Sequence, residues 1–399
     1  MTTSRRDFLK IVGTTTGGML MVPKFLPAMP TSGLYRGYTT DRNVLVVIQL
    51  NGGNDGLNTF IPYESPQYYD FRKTIAIPKE QVLKAAAGGM GWHPALSGFA
   101  EIQQAGHMAV IQNVGYPNPN RSHFRSIEIW QTASSESEYL RTGWLGRYLD
   151  ATCKPEESLG ALNLDTIDNP SLIGEGSHAL TMQDPQRFER LLKGLNGQKD
   201  VPFDENPNLD FVRKLMIGSF EGSDQIAQAL EKSAASAPTY PRYKLAQNLS
   251  WMAKMIKGGL PTLVYYTGMG SFDTHSNQPG KHKALLTELS ASVKAFYDDL
   301  VASNLLDQVT IMIFSEFGRR VKDNGSGTDH GAAAPLFVIG GKNSGKILGT
   351  NPDFDSLVQG DLKHQYDFRS VYASILQQKL GVDPVKAGIR QAMLSGIFS

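Results

Sequence analysis

The sequence predicts an α/β fold, a doubly wound and mostly parallel sheet flanked by helices, and three observations carry that expectation. Short runs at residues 44–50, 108–113, 262–266, 309–314 and 336–339 are apolar at nearly every position. Strands buried on both faces read this way, whereas half-exposed strands alternate. Stretches with helical apolar spacing lie between these runs. Residues able to bind a metal or an anion gather beside the strand ends, where open α/β sheets place their chemistry.

The chain has 399 residues, with 39 basic and 38 acidic side chains and a net charge of +1. Such a balance supplies no general field for nucleic acid or an anionic membrane. Forty glycines and 21 prolines are spread along the chain, which suits a loop-rich globular protein better than a disordered one. No internal repeat or low-complexity tract interrupts it. The organisation expected is a signal segment over residues 1–35, then one α/β domain over 36–399 with a largely helical insertion near 134–260.

Ser4-Arg5-Arg6-Asp7-Phe8-Leu9-Lys10 carries the paired arginines of a twin-arginine export signal, followed by a mildly apolar run over 11–22. That run falls short of the ~20 apolar residues a membrane span needs. Export through the twin-arginine translocase to the periplasm or beyond is therefore expected, with cleavage between residues 28 and 35. The lone cysteine, Cys153, excludes an intramolecular disulfide. Stability must come from the core or from bound metal.

In chain order, Val44–Leu50 reads as a central strand that ends at Asn51-Gly52-Gly53-Asn54-Asp55-Gly56. Asp55 is a candidate metal ligand, and an Asp-Gly turn without a ligand reads equally well from this motif alone. A helix is expected over 95–104, then a strand over 108–113. Beyond it, Arg121-Ser122-His123 precedes a helix over 125–132. There the free N–H groups and the dipole of a helix N-terminus favour an anion and would activate a nucleophile. Ser122 is the candidate nucleophile, Arg121 the anion holder and His123 its neighbour, against the plainer reading of Ser122 as an ordinary cap. Helices over 207–235 and 243–258 read as cover. After the strand at 262–266, Asp273 and His275 stand two apart and would share one side of an extended segment. Oxygen and imidazole donors suit zinc, manganese or iron, and a helix-capping Asp with an incidental His reads equally well from the spacing alone. A helix over 283–303 follows. Ser315-Glu316-Phe317-Gly318 then ends the strand at 309–314, and Asp329-His330 precedes the strand at 336–339. Arg319-Arg320 is a supporting or surface pair, and a helix over 366–380 closes the chain.

The pieces SRRDFLK, LNGGNDGLNTFIPY, NRSHF, FDTHSNQ, SEFGRR and TDHG, spread over residues 4–341, resemble domain-of-unknown-function family 1501, placed among alkaline-phosphatase-like proteins. The resemblance implies an alkaline-phosphatase-type sheet with two metal ions at the C-terminal strand ends. It implies that Asp55 is the first ligand, Ser122 the nucleophile, Asp273 with His275 the middle pair, Glu316 the late carboxylate and His330 the last imidazole; where the chain departs from that pattern, either Asp329 substitutes as a ligand or a single ion remains. Phe317 stands where that superfamily carries an imidazole. Two functions follow as expectations. The first is an exported, divalent-metal-dependent hydrolase of phosphate or sulfate esters, acting on a small anionic ester or one carried on a polymer. The alternative is a non-catalytic binding or cell-surface assembly protein on a degenerate version of the fold.

Overall fold

The computed structural model describes residues 42–85, 88–154, 157–176, 178–194, 207–233, 239–343 and 345–398. The twin-arginine motif and the expected cleavage region lie outside the described residues.

Five long strands form the middle of the molecule: β1 (Val44–Leu50), β5 (Met108–Gly115), β8 (Val264–Met269), β9 (Val309–Ser315) and β10 (Ala334–Ile339). They belong to a nine-stranded sheet in the order β11-β5-β10-β9-β1-β8-β6-β7, with β12 also paired to β5. Here β6 is Ala161–Asn163, β7 Ala179–Thr181, β11 Ile347–Leu348 and β12 Tyr366–Asp367. A separate small sheet is built from β2 (Phe60–Ile61), β3 (Leu83–Lys84) and β4 (Gly91–Trp92). The apolar runs therefore mark the sheet's centre: every residue of β1, β5 and β9 is buried.

β1 pairs in parallel with β8 on one side and β9 on the other. β10 runs antiparallel to both β9 and β5, so it alone opposes the rest of the sheet. This reversal has a direct effect on the site. The chain preceding β10 arrives at the same edge that the chain leaves after β1, β5, β8 and β9.

Two short helices, α1 (Gly56–Thr59) and α2 (Pro66–Phe71), follow β1, and longer ones cover both faces. Val44, Val46, Ile48 and Leu50 of β1 pack with α3 (Ser97–Gln104), α8 (Lys244–Lys257) and α9 (Gln278–Ala302) through Phe99, Leu249, Met252, Leu289 and Phe296. Leu45 and Val47, pointing the other way, pack with α4 (His123–Thr132), α5 (Trp144–Thr152) and α10 (Phe368–Gln378) through Trp130, Trp144 and Tyr372. The period-2 split of one strand between two apolar layers is the doubly wound arrangement. Stacking of Trp130 on Phe314 and Phe368, and of Trp144 on Tyr372, fixes the second layer.

The stretch expected as helical cover, 134–260, holds α5, α6 (Pro185–Gly194), α7 (Pro207–Lys232) and α8, and it also supplies β6 and β7 to the sheet edge. These strands have three residues each, too short to show a period in the sequence. Among the described residues no helix is long and apolar enough to cross a membrane.

Candidate metal centre

Beyond β1 the chain turns through Gly52 and Gly53, both at positive φ (119° and 73°). A side chain at Gly53 would meet the Phe317 ring at 2.3 Å, so the loop packs directly against that ring. The loop is tied to the end of β9 by polar contacts. Gly52 N–H donates to Glu316 Oε1 at 2.8 Å, and Asn54 N–H to Ser315 Oγ at 2.9 Å.

Arg319 draws the neighbouring segments together. Its guanidinium is fully buried and donates to the carbonyls of Gly53 (2.6 Å), Thr328 (2.8 Å), Phe272 (3.0 Å) and Gly52, and to Asp273 Oδ1 (2.7 Å). One side chain thus fixes the loops after β1 and β8 and the loop before β10. Burial pushes the Asp273 carboxyl up, but the Arg319 hydrogen bond and nearby positive charge outweigh it and hold it at about 2.

Three imidazoles converge on Asp273, and each is oriented through Nδ1. His123, at the start of α4, has Nδ1 2.8 Å from Glu316 Oε1. His275 has Nδ1 3.1 Å from Asp329 Oδ1, and His330 has Nδ1 2.8 Å from the Arg121 carbonyl. A carbonyl or carboxylate oxygen can only accept, so each Nδ1 carries a hydrogen, and in the neutral ring Nε2 is then left with a lone pair. Those Nε2 atoms face Asp273: His275 at 3.0 Å, His330 at 3.1 Å and His123 at 3.5 Å. The Glu316 hydrogen bond raises the His123 pKa above the ordinary imidazole value, and the His275 hydrogen bond lowers that of Asp329.

This donor set fits a divalent cation on two grounds. His123 Nε2 is buried and has no hydrogen-bond partner. The Nε2 atoms of His275 and His330 lie 3.0 Å apart. Two lone pairs that close repel unless a proton or a cation lies between them. His123, Asp273 and His330 offer ligand atoms within 4.8 Å of one another, and His275 adds a fourth at the half-exposed edge. Ligands of a tetrahedral zinc stand roughly 3.3 Å apart, given its ~2.0 Å bonds, so the observed spacing closes with small side-chain rotations. Phe317 lines the site, its ring 4.9 Å from those of both His123 and His330.

The residues expected from the sequence divide clearly. Asp273, His275 and His330 meet, joined by His123, which was expected beside a nucleophile rather than among ligands. Glu316 and Asp329 stand behind the imidazoles as acceptors. Asp55 is fully buried, with Oδ2 engaged by Arg72 at 2.5 Å and by Gln278 and Oδ1 by the Asn58 N–H at 3.3 Å, so both its oxygens are occupied away from the imidazoles. Arg121 donates twice to Asp361, at 2.5 and 2.9 Å, and its contribution to the cluster is its carbonyl. Ser122 occupies the N-cap of α4 with extended backbone, exposed, and its hydroxyl makes no capping bond. The first-turn N–H groups of α4 beside it lack intrahelical acceptors by helix geometry. Gln278, Thr274 and Thr328, which join the ligand loops from below, carried no signal in the sequence. Arg319 carried only its place in a paired-arginine turn.

A family model for the protein of unknown function DUF1501 matches residues 42–388. No curated protein matches the chain. Among solved structures the chain is similar to a phosphonate monoester hydrolase from Silicibacter pomeroyi, at 9% identity and a TM-score of 0.42, over 89% of this chain and 76% of that one. It is also similar to a sulfatase from Pseudoalteromonas sp., at 10% identity and a TM-score of 0.39, over 89% and 71%. A third similarity is to a protein of the alkaline phosphatase superfamily from Vibrio parahaemolyticus, at 11% identity and a TM-score of 0.34, over 87% and 72%.

Proposed function

Since the chain belongs to DUF1501, a family of unknown function, we propose that it is an exported hydrolase of phosphate or sulfate esters centred on one divalent metal ion held by His123, Asp273, His275 and His330. The observation that carries this reading is the convergence of three imidazole Nε2 atoms on one carboxylate, each imidazole oriented by a separate acceptor. Nitrogen-rich donors with an oxygen suit zinc above the harder cations. When bound, such an ion supplies charge stabilisation for an ester oxygen.

The chain's own groups define the remaining work. Glu316, Asp329 and the Arg121 carbonyl hold the imidazoles in the tautomer that ligates. Arg319 keeps Asp273 ionised and aimed at the imidazoles. Ser122 would offer its Oγ to phosphorus or sulfur, its hydroxyl proton passing to the alcohol that leaves, and water would then cleave the serine ester to release phosphate or sulfate. The first-turn N–H groups of α4 would hold the non-bridging oxygens. Ser122 and Asp273 are both exposed, which suits an ester that is small or borne on a polymer. The twin-arginine motif supports export by the translocase that carries folded proteins, with the ion loaded beforehand.

A test combines metal analysis of protein refolded with zinc or manganese with turnover of aryl phosphates and aryl sulfates. About one ion per chain is expected, with turnover that falls at least ~100-fold in Ser122→Ala while the ion stays bound. Absence of both metal and turnover would overturn the reading. The Arg121–Asp361 ion pair favours a second reading, since it leaves that guanidinium engaged rather than free for an anion. On this reading the chain is a binding or cell-surface assembly protein, and Ser122→Ala would keep its cellular phenotype.

A further inference from the structure

The two loops that bear His275 and His330 share one contact beneath the cluster. Gln278, the first residue of α9, is fully buried. Its Oε1 accepts the hydroxyl of Thr328 at 2.6 Å and that of Thr274 at 3.2 Å. Thr274 lies between Asp273 and His275, and Thr328 directly precedes Asp329 and His330. Both threonines are fully buried, so water cannot replace the glutamine as their partner.

The orientation of the amide is forced. Gln278 Nε2 donates to Asp55 Oδ2, and Asp55 is ion-paired with Arg72, whose Nη1 lies 2.5 Å from the same oxygen. An ionised carboxylate only accepts, so the amide nitrogen must face it and the amide oxygen must face the threonines. Arg72 is itself anchored to the carbonyls of Val321 and Arg320, at 3.1 and 2.9 Å, on the segment that leads into the His330 loop. Charge, amide and hydroxyls thus form one directed chain from Arg72 through Asp55 and Gln278 to both ligand loops.

We propose that Gln278, polarised by the Asp55–Arg72 pair, is a positioning residue that clamps the 273–275 and 328–330 loops and sets the cluster's affinity for its ion, an inference that rests on the metal reading above. Asp55 then serves the site at one remove, orienting the glutamine that orients the loops.

Thr328→Val tests the clamp, because it keeps the side-chain shape and removes only the donor. Thr262→Val is the control: Thr262 is also buried, and its hydroxyl donates to Leu159 O at 2.9 Å just before β8, on the sheet edge away from the site. Zinc affinity is read by chelator competition, cobalt coordination by visible absorption, and stability by the melting temperature of the metal-free protein. Thr328→Val is expected to weaken zinc binding roughly 10- to 100-fold and to shift the cobalt bands, as loss of outer-shell support does. Thr262→Val should retain wild-type affinity and bands, and Thr328→Ser, which keeps the hydroxyl, should restore both. Unchanged affinity in Thr328→Val, or an equal loss in Thr262→Val, overturns the clamp and leaves the metal reading standing. A wild-type chain that binds neither zinc nor cobalt overturns both. Should Thr328→Val fail to fold, Thr274→Val reads the same clamp from the other loop under the same outcomes.

Discussion

Replacing Arg319 by methionine removes a fully buried guanidinium and leaves its acceptors in place. The carbonyls of Gly53, Thr328 and Phe272 each lose a donor in a buried setting, at 2.6, 2.8 and 3.0 Å in the folded chain. An unsatisfied buried acceptor costs about 1–3 kcal/mol, and the low end applies because Asp273 beside them is half exposed and lets water approach. The three together predict a loss of about 3–5 kcal/mol. For a chain larger than 250 residues each kcal/mol shifts the melting temperature by roughly 2 °C, so Arg319→Met should melt about 6–10 °C below wild type. Circular dichroism on metal-free protein measures this without interference from the ion. Arg319→Lys should recover only part of the loss, because a single ammonium cannot span the fork that reaches three loops. A melting temperature within ~2 °C of wild type for Arg319→Met would refute the account of Arg319 as the tie between the loops.

Glu316→Gln keeps the shape behind His123 but removes the negative charge. Zinc affinity should fall roughly 10-fold or more in a chelator competition, and unchanged affinity would remove Glu316 from the site's support. Asp55→Asn leaves the buried Arg72 without its counter-charge and should cost about 3–5 kcal/mol at pH 7. Burial raises the Asp55 pKa, yet Arg72 and the hydrogen bonds outweigh it, so the folded value lies below the ordinary carboxylate range. A depressed carboxyl contributes its stability above the unfolded pKa and loses it as pH falls through the folded one. Urea unfolding between pH 7 and pH 3 should therefore show the gap between wild type and Asp55→Asn holding down to about pH 4 and narrowing below it. A gap independent of pH would contradict the pairing.

The sheet was legible because burial on both faces leaves no room for polar positions. Val44–Leu50 as read from the sequence is the observed strand, and the other four runs agree to within a few residues. β6 and β7 were not legible, since three residues carry no period. Nor was the reversed direction of β10, which depends on its neighbours β5 and β9 rather than on its own residues. Within the site, clustering at strand ends was visible, but the division of labour was not. Whether a carboxylate ligates or supports depends on what reaches it from afar. Glu316 meets an imidazole 193 positions away, and Asp55 meets Arg72 from a helix-end turn that advertises no partner. His123 showed the same limit, since a residue beside a candidate nucleophile is read through its neighbour until the fold reveals where its ring points.

The pairing of β1 also governs the order of events during synthesis. This strand emerges first, yet its two neighbours are β8, beginning at Val264, and β9, beginning at Val309. Until more than two hundred further residues have left the ribosome, VLVVIQL has no native edge to join. Contacts this distant in sequence close slowly, and an unpaired apolar strand is open to association with other chains meanwhile. A holding chaperone that binds near residue 44 should therefore raise the yield of folded protein more than one that binds near residue 309.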